Sequence, residues 1–293
     1  MTSGVHDEQS AGAVGWIGLG EMGLPMASNL RSAGFRVIGF DLSPVRCEAA
    51  VLAGLDVADS LPGLLGQVSV LITMLRTGDQ TAALLLGPDG VAASRTGPLD
   101  VVMMSTTDPV SVARLAEECS KFDLTVVDAP VSGGVTGATG GTLSIMASGD
   151  PAAMERVIPI LRPLGKTVHR LGDRPGAGQA AKQANQVMMV AAIAGVNEGL
   201  ELASGFGADR GSVIAAVLDG TGASWPLANW DLMRSLWENY SPDGPLANIE
   251  KDLRAIIDPE RGRQAELPVA ELAFERLSAL HGKGREGPGL RRR

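Results

Sequence analysis

Along the first half of the chain, apolar residues gather in short, nearly continuous runs separated by longer mixed stretches. Residues 14–17, 36–40, 68–74, 100–105, 125–127 and 143–147 read as strands. The first several lack a polar face, as strands covered on both sides do. Between them, 25–33, 46–53, 80–86 and 109–121 have helical spacing, and Asp150-Pro151 opens another helix, 152–161, with Asp150 at the N-cap and Pro151 at N1. This alternation predicts an α/β fold: a doubly wound, largely parallel sheet with right-handed crossovers.

The pattern changes after Gly176-Ala177-Gly178. From 179 to about 204 there is no proline, alanine is frequent and most positions are apolar, which predicts one helix of roughly 39 Å. Residues 210–218, 227–237, 245–257 and 269–280 also read as helices. An all-α domain joined by a long central helix therefore follows the α/β domain. The expected divisions are a disordered tail at 1–12, the α/β domain at 13–175, the helical domain at 176–280 and a disordered basic tail at 281–293. Two domains suit 293 residues at roughly 150 residues each.

Composition narrows the partners. Hydrophobic residues at 45% and charged residues at 20% are globular values, and aromatics at 3% leave the core to Ala, Val, Leu, Ile and Met. The net charge is −8, and because the tail from 281 holds five basic groups against one acidic, the rest of the chain stands at −12. A body that acidic repels phosphate backbones and anionic headgroups, so neither nucleic acid nor membrane is expected as a partner. The longest uninterrupted apolar run, 187–196, is shorter than the roughly 18 residues a bilayer requires. Its apolar surface exceeds what one small helical domain covers, which predicts a homodimer or homotetramer. Residues 1–12 include Asp7 and Glu8 and no apolar segment, unlike a signal peptide. Cys47 and Cys119 are too few for a disulfide framework and read as small buried hydrophobes in a reducing cytoplasm. His6, His169 and His281 lack ligand spacing, so no metal site is expected.

Gly18-Leu19-Gly20-Glu21-Met22-Gly23 lies between a predicted strand and a predicted helix. In that context the glycines serve a tight turn, the approach of a pyrophosphate to the backbone, and close helix–strand packing. The helix N-terminus offers free amides and a partial positive charge. The next strand ends at Asp41, placed to accept both hydrogen bonds of an adenosine ribose, which favours NAD over NADP. A Gly-rich turn followed by an ordinary capping aspartate is the competing reading. The first domain is thus expected to be a Rossmann-type, NAD-binding one.

The stretch from Gly18 to Leu30 resembles the cofactor motif of the β-hydroxyacid dehydrogenases. The resemblance covers roughly 13–280 and recurs, in order, in Asp128-Ala129-Pro130-Val131-Ser132-Gly133-Gly134, in the segment from Gly176 to Gln186, and in Lys251-Asp252-Leu253. It implies a small carboxylate-bearing β-hydroxy acid of 3-hydroxyisobutyrate type as substrate, bound by Ser132, Gly133 and Gly134. It implies that Lys182 is the catalytic acid/base, with Asn185 holding the substrate oxygen or the lysine and Gln186 also at the substrate, and that Lys251 approaches the nicotinamide end of the cofactor. It also implies that Thr106 lies near the nicotinamide ribose and that Met74 and Leu75 form an apolar wall beside the cofactor. Core packing accounts for that pair almost as well, and helix capping by Thr107 or Asp108 accounts for most of the Thr106 segment.

The chemistry agrees with the resemblance. Hydride removal from an alcohol needs a group that takes the hydroxyl proton, and a lysine serves if burial and positive surroundings lower its pKa. Helical spacing puts Asn185, Gln186 and Met189 on the face of Lys182. A solvated helix charge is the default for an isolated lysine. Ser132-Gly133-Gly134 offers a hydroxyl and backbone amides suited to a carboxylate. Two departures stand out. Gln186 replaces a frequent Asn, and Gly244-Pro245-Leu246-Ala247 lacks a phenylalanine common in the family, which leaves the exact substrate open. Ser224-Trp225 and Trp230 could supply replacement bulk. Competing functions are an imine reductase, which generally lacks a lysine at this position, and a non-catalytic cofactor-binding module.

Overall fold

Alternate residues of the central strands feed two separate cores, one on each side of a sheet. The structure, a computed structural model, describes residues 12–239, 241, 244–257 and 266–281. Except for Gly12 and His281, the tails expected at 1–12 and 281–293 lie outside the described residues. Among the described residues the strands are β1 (Ala13–Ile17), β2 (Val37–Phe40), β3 (Asp56–Val57), β4 (Val68–Thr73), β5 (Leu99–Met103), β6 (Leu124–Asp128), β7 (Val131–Ser132), β8 (Leu143–Gly149) and β9 (Gly165–Arg170). Their order is β3-β2-β1-β4-β5-β6-β8-β7, with β9 paired to β8.

From β3 to β6 every pairing is parallel, as the near-continuous apolar runs predict. β8 then runs antiparallel to β6 and β7 and parallel to β9. The chain steps outward from β1 to β2 and β3, then returns to the other side of β1 as β4, so the order reverses between β1 and β4. The carboxyl ends of strands at such a reversal are where α/β sheets bind ligands. Val14, Trp16, Val70, Ile72, Val102 and Val127 face one core; Ala13, Ile17, Leu71, Val101, Met103 and Val126 face the other.

The chain divides into two compact units, one ending at Lys182 and one beginning at Gln183. Both ends of that division lie within one helix, Ala177–Gly205, whose 29 residues make about 44 Å. In the second unit Ile193 and Leu200 of this helix pack with Trp230 and Met233, and Val190 packs with Leu253 and Ala273. By length and composition alone Ala177–Gly205 could cross a membrane, with a mean hydropathy of 1.3 over its most apolar stretch. Lys182, Gln183, Asn185 and Gln186 near its start and the exposed Glu198 and Glu201 further on are groups that lipid would have to desolvate.

Two expectations need correction. The helix expected at 227–237 is two, Trp225–Ala228 and Trp230–Glu238, broken at Asn229, whose side-chain amide bonds back to the Trp225 carbonyl at 2.9 Å. Cys119 is fully buried and its thiol is pushed up to about 12 by burial, but Cys47 is only half-buried, its Sγ donating to the Asp41 carbonyl at 3.2 Å. Trp225 is 57% exposed, whereas Trp230 is buried.

Candidate active site

The strand–turn–helix expected at Gly18–Gly23 is present and tight. Gly18 takes φ +97° as β1 ends, and helix Gly23–Ser32 follows. A Cβ on Gly23 would stand 1.8 Å from the Gly18 carbonyl oxygen, so only glycine lets the helix start there. A Cβ on Gly20 would meet nothing nearer than the Arg46 guanidinium, at 3.7 Å. The open side of Gly20 faces a cavity of about 500 Å³ lined by Leu19, Gly20, Glu21, Leu24, Pro25, Arg46 and Thr139. Met22 at the N-cap makes no side-chain cap; the Leu24 N–H donates to the Gly20 carbonyl at 3.0 Å and Pro25 has no N–H, so an anionic ligand at this helix start would meet the amides before Leu24. An open glycine, an uncapped helix and an adjacent cavity fit a dinucleotide pyrophosphate.

Asp41 stands just past the end of β2, its side chain 8% exposed. Oδ2 accepts from the Leu19 N–H at 2.8 Å and Oδ1 from the Ser43 N–H at 2.9 Å, which fixes the carboxylate beside the glycine loop. Arg46 approaches Oδ2 at 3.6 Å. Further along the same edge of the sheet, Met74 and Leu75 follow β4 and are half-buried, and the Leu75 N–H donates to Ser105 Oγ at 2.8 Å. Thr106 is half-buried beyond β5. The cap of the next helix is Asp108, whose Oδ2 accepts from the Ser111 N–H at 2.7 Å.

Ser132 pairs with Ser144 at the end of β7. Gly133 and Gly134 then take φ +136° and +61° and open helix Gly134–Gly140, so the segment is a built turn with exposed backbone amides. Successive backbone amides of a turn are the groups that line concave anion sites.

The first turn of Ala177–Gly205 rests on a residue that sequence reasoning quoted but gave no role. Asp128, fully buried at the end of β6, accepts at Oδ2 from the Gly176 N–H at 3.1 Å, the Gln179 N–H at 2.9 Å and Ser148 Oγ at 3.3 Å. Burial pushes this carboxyl up to about 6, against the pull of the Gln179, Gly176 and Ser148 hydrogen bonds. The available signal was a carboxylate ending the apolar run Val126-Val127. Beyond it a buried stripe runs along the helix through Gln179, Lys182, Gln186, Val190, Ile193 and Leu200, its steps of three and four keeping one face. Lys182 is 7% exposed, so it is no solvated surface charge. Asn185 and Met189 are half-buried beside the stripe. The structure thus gathers Gly18–Gly23 with Asp41, and Met74 and Leu75 with the Ser105 segment next to Thr106. Lys251 lies on helix Pro245–Ile257 of the second unit, exposed.

Sheet topology and glycine loop are those of a dinucleotide-binding domain, and the relatives make the chain a nicotinamide-dependent oxidoreductase. Residues 13–172 match the NAD binding domain of 6-phosphogluconate dehydrogenase, and residues 176–289 match the NAD-binding domain of NADP-dependent 3-hydroxyisobutyrate dehydrogenase. The chain is 34% identical to the 3-hydroxyisobutyrate dehydrogenase of Pseudomonas aeruginosa, over 92% of this chain and 91% of that protein. It is 33% identical to the 2-hydroxy-3-oxopropionate reductase of Escherichia coli, over 92% of each. The structure of Mycobacterium tuberculosis 3-hydroxyisobutyrate dehydrogenase with L-serine superposes with a TM-score of 0.81 at 28% identity, covering 94% of this chain and 96% of that one. The chain belongs to the β-hydroxyacid dehydrogenase family.

Proposed function

We propose that the protein oxidises a small β-hydroxy acid of the 3-hydroxyisobutyrate type, or reduces the matching semialdehyde, with NAD as the preferred cofactor and Lys182 as general acid/base. The observation that carries this reading is the burial of Lys182 on a stripe with Gln179 and Gln186 in the first turns of the long helix. Bound nicotinamide supplies hydride acceptance and return. The glycine loop and helix N-terminus hold the pyrophosphate, Asp41 takes the ribose hydroxyls, and Thr106, Met74, Leu75 and Lys251 serve the nicotinamide half. Ser132, Gly133 and Gly134 bind the substrate carboxylate. Nζ of Lys182 accepts the hydroxyl proton in oxidation and returns it in reduction, while Asn185 holds the reacting oxygen and Gln186 supports it.

A symmetric dimer or tetramer fits the outward face of the long helix. Ala180, Ala184, Met188, Gly195, Gly199 and Leu202 are exposed there at helical spacing, and a Cβ on Gly195 or Gly199 would meet nothing. A second copy would bury that stripe. Two free cysteines accord with a reducing, cytoplasmic setting.

The test is NADH formation at 340 nm with 3-hydroxyisobutyrate, L-serine and L-threonate, together with NADH oxidation by 2-hydroxy-3-oxopropionate. Turnover of at least one is expected. Silence across this panel alongside NADPH-linked reduction of a cyclic imine would favour the imine reductase reading and overturn this one.

A further inference from the structure

Among the described residues, six helices take their caps from the residue just before them. Ser60, Thr77, Asp108, Asp150, Asp209 and Ser224 each accept from an N–H of the helix they open. The long helix instead borrows a carboxylate from the end of β6, 48 positions upstream of Gly176. The loan brings a second buried group with it. Gln179, fully buried, donates from Nε2 to Asp128 Oδ1 at 2.8 Å and to the Ser105 carbonyl at 2.9 Å, and accepts at Oε1 from the Thr107 N–H at 2.9 Å. Ser105 in turn accepts from the Leu75 N–H at 2.8 Å. Capping alone would not need the side chain of Gln179. Its three hydrogen bonds tie the strand ends that carry Leu75 and Thr106 to the helical turn that precedes Lys182.

We infer that Gln179 and Asp128 are positioning residues that hold the Lys182 turn in register with the strand ends flanking the cofactor's nicotinamide half. The inference rests on the reading of Lys182 as acid/base. Proton and hydride leave the same carbinol group, so the two acceptors must keep a fixed separation. A displacement of about 1 Å between reacting groups lowers a rate by roughly 100-fold. A fully hydrogen-bonded buried amide resists such displacement because any shift leaves polar groups unpaired.

Gln179→Met keeps the bulk and removes all three side-chain hydrogen bonds. Asp128→Asn keeps one carbonyl acceptor, while Asp128→Leu keeps none. Each is compared with wild type and Lys182→Ala, using NAD and whichever of 3-hydroxyisobutyrate, L-serine and L-threonate the wild type turns over fastest. Folded Gln179→Met should lose about 10- to 100-fold in kcat with a raised deuterium isotope effect, as the chemical step slows. Its affinity for NAD, measured by tryptophan fluorescence, should hold. In the protein without cofactor, amide hydrogen exchange at Thr107 should accelerate. Asp128→Asn should recover part of what Asp128→Leu loses, and carries the test on the same readouts if Gln179→Met fails to fold. A folded Gln179→Met with wild-type kcat and isotope effect, beside an inactive Lys182→Ala, overturns this inference alone. So does a lowered melting temperature with unchanged kcat per folded molecule. A fully active Lys182→Ala overturns the reading beneath it.

Discussion

Arg46 holds a guanidinium nitrogen 3.6 Å from Oδ2 of Asp41, on the open side of Gly20. The two differ in freedom: the aspartate side chain is 8% exposed and pinned by two backbone amides, whereas the arginine side chain is 51% exposed. The carboxylate is therefore fixed beside the glycine loop, and the arginine is an exposed counter-charge next to it; the proposed ribose role of Asp41 rests on that contrast.

For a cofactor carrying a 2′-phosphate, a like charge at about 4 Å costs roughly 1 to 4 kcal/mol at effective dielectrics of about 80 to 20. The expected preference is about 10- to 1000-fold in kcat/KM for NAD over NADP. Arg46→Ala should widen it and Asp41→Ala should narrow it. Equal kcat/KM for both cofactors in the wild type would refute the role of Asp41.

Replacing Lys182 with alanine should lower kcat by roughly 100- to 10,000-fold, the usual cost of losing a general acid/base. NAD affinity should stay within error, because the glycine loop and Asp41 are untouched. Near-normal turnover would exclude the role; joint loss of cofactor binding and folding would make the lysine structural.

The glycine loop separates fold from ligand. Gly23→Ala should abolish soluble folded protein, since its Cβ would sit 1.8 Å from a carbonyl oxygen. Gly20→Ala should keep the melting temperature, its Cβ meeting only Arg46 at 3.7 Å, yet weaken NAD binding by intruding on the pyrophosphate. Calorimetric titration of Gly20→Ala giving wild-type affinity would place the pyrophosphate elsewhere.

Asp128 should leave a mark on stability against pH. Its carboxyl titrates at about 6 when folded and near the ordinary 3.8 when unfolded, so the native state binds the proton more tightly. Stability from this group is therefore greatest below the unfolded value, falls as pH rises through the window up to about 6, and is level above it. Urea melts of wild type and Asp128→Asn across that window should differ in slope, with the variant lacking this fall. Parallel slopes would show that the carboxyl titrates normally.

Sedimentation should find a dimer or tetramer at micromolar concentration. Gly195→Glu, which sets a charge in the exposed stripe of the long helix, should shift the species toward monomer without loss of helical signal. A wild type that sediments at 30.2 kDa alone would remove the argument for a second copy.

Strands β1, β2, β4, β5 and β6 were legible because each is a mostly apolar, largely buried run. β3 and β7 are two residues long, and β9, Gly-Lys-Thr-Val-His-Arg, has no apolar face to advertise its pairing with β8. Helix Gly134–Gly140 is mostly glycine and threonine, poor helix formers, and its position follows from the Gly133-Gly134 turn. The strand–turn–helix at Gly18–Gly23 and the place of Asp41 at the end of β2 could be read because both are set by neighbouring residues. Asp128 and Gln179 could not, since each is explained by partners between 20 and 74 positions away. Asn229, which divides a predicted helix, acts through its bond to Trp225 and through Trp230 packing into the core, neither of which periodicity encodes.

The borrowed cap also sets an order of events on the ribosome. Chains emerge from the N-terminus, and domains tend to fold as units in that direction. Asp128 leaves the tunnel 48 positions before Gly176, so β6 emerges with a carboxylate whose amide donors have not yet appeared. Until they arrive, that end of the sheet must stay wet or keep the acid protonated. The first unit therefore cannot close dry until its last few residues emerge, and a nascent chain halted near residue 170 should stay protease-sensitive at β6, whereas one halted after the long helix has emerged should not.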